Sequence, residues 1–395
     1  STLEDLLLNC FPAFGGAYLR RVYMILDAAV GMGCPLTVAI AGPVTVSGQH
    51  QAWLIPLLET GWVAYISTTD AVCYHDGHRS LDAHAGFPVH EVSISSDDAA
   101  LRAERTIRVT DMAFDEDVLL DQDRFVSSCL MRPEFQRRMT GTEMRYLLGG
   151  LYAAQENKHG IPPGLLATCH RLALPVFVGA PSDGSVFLNS MKLWAMQKAG
   201  FGDQYRFELD LHAEVFEACA CHRWGLFDHP ARALGTLILG GGVPKNFNLQ
   251  PEPALGQVLG IPDVRGYHFD CQIVTAPVTD GSLSSCPPAE AVTWGKVDKD
   301  LYLKTTESMQ ADYSTVMPFL VKALLDKRAA YERRAADIGE ETLFAEDKKA
   351  RGYLRSREGY RLFERRGALV DALLNDVRAN REWLLESVHY ALATR

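Results

Sequence analysis

Three side chains stand close together in the last third of the chain: a carboxylate, an indole and an amine in the run Glu290-Ala-Val-Thr-Trp-Gly-Lys296. Pro287-Pro-Ala precedes them, and proline is tolerated in a first helical turn. Glu290 and Trp294 are four apart, so a helix stacks them on one face. Gly295 ends that helix and releases Lys296. A lysine in a partly dry pocket loses its proton more readily and becomes a nucleophile toward imines. The indole face can hold a cationic alkyl chain. On spacing alone, the ordinary alternative carries more weight: a surface lysine after a helix cap, beside a core tryptophan.

The elements that would position this segment recur as a short apolar strand, a small polar loop and a helix. Leu36–Ala41 leads to Gly42-Pro-Val-Thr-Val-Ser-Gly48, with a helix over 49–60. Trp62–Ser67 leads to Thr68-Thr-Asp-Ala71, and Pro175–Val178 to Gly179-Ala-Pro-Ser-Asp-Gly-Ser185. Leu234–Leu239 precedes Gly240-Gly-Gly-Val-Pro-Lys245, Cys271–Val274 precedes Thr275–Ser282, and Leu301–Leu303 leads to Met309–Tyr313. Near-continuous apolar strands predict a parallel sheet covered on both faces, with ligands at the carboxyl ends of the strands. The fold class is therefore α/β, a doubly wound, mostly parallel Rossmann-like sheet. Thr140-Gly-Thr-Glu143 predicts a capping box opening a helix over Met144–Asn157. From about Met317 the chain reads as helical and rich in mixed charge, with breaks near Gly339 and Gly352. The expected division is a catalytic domain over 1–328 and a helical C-terminal extension over 329–395.

Several strings carry a resemblance. Glu290–Lys296 is similar to the active-site segment of deoxyhypusine synthases, and Gly240–Lys245 to the glycine loop of the same family. Ser182-Asp-Gly-Ser185, Thr275-Ala276, Asp280-Gly-Ser282 and Ala311-Asp312 match in order and spacing. The resemblance runs over roughly 30–325 and is strongest from Pro175 onward. It implies a Rossmann-like sheet, a homotetramer with sites at dimer interfaces, and NAD as a cofactor that is not consumed. It also implies an aminobutyl group carried on Lys296 as an imine, with Glu290 as the other catalytic residue. The implied substrate-binding residues are Trp294, Asn246, His75, Gly281 and Ser282. The implied cofactor contacts are Gly42 and Thr45 of the Gly42–Val46 loop, Thr69, Asp183, Gly241, Thr275, Ala276 and Asp312.

The chain departs from the family pattern in places. Asn246 stands where the family has histidine, Tyr74-His75 where it has two glutamates, and Gly42-Pro43 where it has Ser-Asn. Leu188 and Leu283 stand where it has two aspartates that bind the polyamine. These differences favour small amines over spermidine and a translation-factor lysine; a homospermidine-type product from putrescine is one candidate, a guanidino analogue another. A true deoxyhypusine synthase and a catalytically impaired NAD-binding member stay open beside it. His75-Asp76-Gly-His78, with His50 and Asp70 nearby, could serve proton transfer or substrate binding; no metal site is expected.

The remaining totals are compatible with this. The formal charge of −10 disfavours a nucleic-acid surface and suits a cationic small substrate. No run approaches a membrane span, the start lacks a signal-peptide pattern, and nine scattered cysteines suit a reducing compartment. The expectation is a cytoplasmic enzyme of small polyamines.

Overall fold

The computed structural model describes residues 2–86 and 89–389. Six strands form the main sheet: β1 (Leu36–Ile40), β2 (Val63–Thr68), β3 (Val176–Val178), β4 (Gly235–Leu239), β5 (Phe269–Val274) and β6 (Thr306–Gln310). Their order across the sheet is β6-β5-β4-β1-β2-β3, and every pairing is parallel. This is the doubly wound arrangement in which the chain reverses direction between β1 and β4, and the crevice outside those two strand ends is where such sheets take ligands. All residues of β1 to β5 are buried, so alternation of polar and apolar residues is largely lost and the strands read as apolar runs.

The sixth strand differs from expectation. Leu301–Leu303 is not a strand: a helical turn covers Tyr302–Thr305 and the strand is Thr306-Glu-Ser-Met-Gln310. As an edge strand, β6 pairs only with β5, so its composition need not be apolar, whereas Leu303 is 82% exposed. The helix expected over 49–60 opens as a π-helical turn, His50–Leu54, followed by Ile55–Leu58. The helix after Thr140 spans Gly141–His159, and the Thr140 hydroxyl accepts from the Glu143 N–H at 3.3 Å. Glu143 does not reach back; its carboxylate pairs with Arg137 and Arg366.

The long helix Tyr313–Ile338 carries the chain past position 328 without a break. Helices Glu340–Glu346, Ala350–Tyr353, Leu362–Ala379 and Arg381–Ser387 follow. Tyr353 is buried in the core formed around β1 and β2, and Leu362 and Leu373 are buried with Tyr65 and Phe177. The C-terminal helices thus pack onto the sheet. Among the described residues no helix is long and apolar enough to cross a membrane, and no group of three or more potential metal ligands gathers.

Candidate active site

The Lys296 segment is built from local rules. Pro287 and Pro288 start a one-turn helix, Pro288–Ala291, and a tight turn Val292–Trp294 continues it. Gly295 adopts the left-handed region at φ 71°, which glycine enters without the cost of a Cβ. The Lys296 N–H then closes back onto the Ala291 carbonyl at 3.0 Å, and the Lys296 carbonyl accepts from the Tyr267 N–H at 3.0 Å. Val297, next in line, is buried. The backbone that carries the amine is therefore held from both sides.

The amine opens into a pocket of about 590 Å³. Asn246 and Lys245 from the helix Gly242–Leu249, Asp270 and Gln272 from β5, and Gly281, Ser282, Glu290, Trp294 and Lys296 line it. Lys296 is half-buried, its Nζ lies 6.0 Å from the Trp294 ring centre, and among the described residues its ammonium makes no hydrogen bond or ion pair. Burial depresses its pKa below that of an ordinary lysine, against a smaller opposing pull from Cys286. Trp294 is 67% exposed, so it is not the core tryptophan of the ordinary alternative; its face belongs to the pocket mouth.

Lys245 has a different role. It is buried, and its Nζ donates to the carbonyls of Leu283 at 2.9 Å and Cys286 at 2.5 Å. Below it lies Asp270, 1% exposed, whose carboxyl burial pushes up to about 7, with Lys245 drawing it the other way.

A second cleft, about 270 Å³, lies at the ends of β1, β4 and β5 and is lined by Gly42, Gly240, Thr275, Asp312 and Tyr313 among others. It sits at the point where the strand order reverses. Gly42 and Gly240 have φ of 93° and 86°, so backbone rather than side chain faces the crevice at both loops. Asp312 caps the helix Tyr313–Ile338 through one carboxylate oxygen, which accepts from the Ser314 N–H at 2.8 Å. Its other oxygen has no hydrogen bond among the described residues. Gly241, at φ 80°, packs so closely that an added Cβ would meet Ser284 at 2.7 Å, and the Gly242 N–H donates to Ser284 Oγ at 3.0 Å. The segment Leu283–Cys286, which borders the Lys296 pocket, is thus fastened to both the glycine loop and the helix Gly242–Leu249. Ala276 follows Thr275, partly buried; Thr69 follows β2 and Asp183 lies beyond β3.

Two expected residues stand elsewhere. Thr45 is 1% exposed and its hydroxyl donates to the Val72 carbonyl at 2.8 Å. That hydroxyl holds two segments together, and Thr45 lines neither cavity. His75 lines neither cavity: it sits on the helix Asp70–Asp76 with its Nδ1 3.3 Å from His78 Nε2, and burial pushes its pKa down to about 4. Its neighbours have structural duties. Asp76 accepts from the N–H groups of Leu165 and Leu166, both at 2.8 Å, capping the helix Leu165–Arg171. Asp70 accepts from the Val186 N–H at 2.8 Å, and His50 lies 3.5 Å from Asp76 with both side chains fully buried.

Asp270 and Gln272 escaped the sequence reading. The signal was there: two polar residues at alternate positions in a strand whose other members are Phe, Cys, Ile and Val. Starting the strand at Cys271 left Asp270 outside it.

Similarity to known proteins agrees with this architecture. The sequence model of the deoxyhypusine synthase family matches residues 7–324. A deoxyhypusine synthase-like protein of Cyanothece sp. is 34% identical over 351 residues, covering 86% of this chain and 84% of that protein. Counterparts in Nostoc sp. and Nostoc punctiforme are 33% identical over 341 residues (84% and 85% covered) and 34% identical over 344 residues (84% and 83% covered). With a family match across most of its length and relatives 33–34% identical over more than four-fifths of it, the chain belongs to the deoxyhypusine synthase family.

Proposed function

We propose that this chain is an NAD-dependent transferase that moves an aminoalkyl group between small amines, with Lys296 as the carrier. The observation behind the proposal is a half-buried amine of depressed pKa over an exposed indole, in one pocket with Glu290. The residues of the neighbouring cleft fit a dinucleotide. Glycines with positive φ leave backbone open to a phosphate, and the free oxygen of Asp312 can accept from a ribose hydroxyl. Gly42, Gly241, Thr275, Ala276 and Asp312 would hold NAD from one side of the sheet, and Thr69 and Asp183 from the ends of β2 and β3. Bound there, NAD would supply reversible hydride-accepting chemistry for the carbon next to nitrogen.

The chain's own residues then do the transfer. Neutral Lys296 attacks the carbon of the oxidised substrate's C=N bond, the bond to the departing nitrogen breaks, and the proton lost by Nζ leaves with the released amine. An acceptor amine adds to the same carbon and expels Lys296 with the reverse proton movement. Glu290, exposed at the pocket mouth, orients the incoming ammonium and takes its proton. Trp294 covers the alkyl chain. Asn246 can hydrogen-bond to an amine but is not a base at neutral pH. The wide exposure of Trp294 and Glu290 supports a site completed by a second copy in a homotetramer.

The test is incubation with NAD and a panel of diamines, spermidine and agmatine, followed by mass spectrometry of the products and of borohydride-reduced protein. A free triamine or guanidino product, with an adduct on Lys296, supports the proposal. Label from spermidine appearing only in a translation factor would make the chain a true deoxyhypusine synthase. No adduct with any amine would refute the carrier role.

A further inference from the structure

Resting on the reading of the Lys296 pocket as an amine site, we propose that Asp270, with Gln272 beside it, anchors a cationic nitrogen head of the substrate at the buried end of that pocket. Both residues line the cavity. They sit two apart on β5, so they face the same side, while Cys271 between them points the other way, its Sγ 3.9 Å from the Val22 carbonyl. Asp270 is 1% and Gln272 0% exposed.

Both present an acceptor with nothing to accept. Asp270 Oδ1 and Gln272 Oε1 are buried and have no hydrogen-bond partner among the described residues. The Gln272 amide nitrogen is already used, donating to the Cys286 carbonyl at 3.2 Å and Ser308 Oγ at 3.1 Å. The amide is thereby held with its oxygen as the unused group. Lys245 is the cation nearest in influence to Asp270, yet its ammonium is spent on Leu283 and Cys286 carbonyls. A buried carboxylate without a donor is costly, and natural interiors avoid it unless a partner arrives.

The missing partner has a definable chemistry. Two residues along a strand span about 7 Å, so acceptors on side chains at 270 and 272 converge on one group that carries several N–H donors. A primary ammonium has three and a guanidinium five. A hydroxyl or carbonyl end would leave the carboxylate unpaired. Leu283, one of the positions where the resemblance leads one to look for an acid, offers the pocket an aliphatic side chain and gives its carbonyl to Lys245. The charge that holds the amine is therefore supplied from the strand beneath instead of from the loop above. The substrate enters head first, its chain passes Trp294, and its reacting carbon lies nearer Lys296.

Calorimetric titration of the full chain, with and without NAD, decides the matter, using putrescine, agmatine and 1-butanol as probes. Wild-type protein is expected to bind putrescine or agmatine and not 1-butanol. Tighter agmatine means the guanidinium is the preferred head, and tighter putrescine means the ammonium. Asp270→Asn, near-isosteric and uncharged, is expected to weaken that binding about 100-fold, the scale for losing one partner of a buried charge pair. Lys296→Ala is expected to bind within a few-fold of wild type, which separates anchoring from the carrier role. Undiminished binding by Asp270→Asn overturns the anchor and leaves the carrier role standing. Binding of neither amine by wild type overturns both. Should Asp270→Asn lose its melting transition, Gln272→Met is expected to weaken binding about 10-fold, and unchanged affinity there overturns the proposal.

Discussion

Removing the negative charge of Asp270 should make the ligand-free protein more stable, although it removes a functional group. The carboxyl has almost no exposure and no donor, and its pKa rises from 3.8 to about 7. A carboxyl that holds its proton more tightly when folded costs stability wherever the unfolded chain would have ionised it. The cost begins near pH 4, grows until about pH 7, and is constant above that. A rise from 3.8 to about 7 corresponds to at most about 4 kcal/mol at pH 8. At pH 5 the same arithmetic leaves less than half of it, and at pH 3 almost nothing. For a chain of 395 residues, unfolding entropy near 2 cal/mol/K per residue turns 4 kcal/mol into roughly 5 °C. The assay compares wild type and Asp270→Asn by urea titration or calorimetry at pH 8, 5 and 3 without amines. The variant should be the more stable at pH 8, with the gap closing as pH falls. Other titrating groups, such as Glu156 with its raised pKa, are common to both proteins and cancel in the difference. A variant less stable at pH 8, or a gap independent of pH, would mean that Asp270 has a partner in solution, and the reasoning fails.

Three further outcomes follow from the same geometry. Lys296→Ala should abolish borohydride-trapped adduct and lower turnover by at least about 1000-fold, with melting within a degree or two of wild type because the side chain is only half-buried and unbonded. Trp294→Ala should raise the KM for amines about 10-fold while changing stability by under about 0.5 kcal/mol, since two-thirds of the side chain is already exposed. Gly241→Ala should cost about 1–3 kcal/mol in a urea titration, because φ is 80° and the new Cβ would meet Ser284 at 2.7 Å; normal stability there would show that the loop readily yields.

Much of this architecture is legible in the sequence where one physical rule dominates. Strands β1, β2, β3 and β4 announce themselves because burial on both faces demands apolar residues, and the glycine loops follow because the turns need positive φ. The Lys296 turn is legible through Pro287-Pro288 and Gly295, which fix both its ends. The edge strand β6 is not, because pairing on one side leaves its composition free, and the apolar Leu301–Leu303 beside it draws attention instead. Asp270 is hidden for the opposite reason: it breaks the apolar pattern of a central strand, and a pattern search trims the strand to exclude it. Thr45 and His75 show the limit of position matching. Residue type suits the chemistry in each case, but the side chains are turned toward Val72 and His78, and only packing decides that.

The fastening of Leu283–Cys286 has a thermodynamic corollary. The segment is bonded to the glycine loop through Ser284 and to the helix Gly242–Leu249 through Lys245. An amine in the Lys296 pocket and a dinucleotide on the glycine loop would therefore both bear on one segment whose fastenings all run to one short stretch of chain. Whatever factor a dinucleotide applies to the affinity for an amine, the amine must return to the dinucleotide. Loosening a fastening, as Ser284→Ala would, should alter that factor before it alters either affinity taken singly.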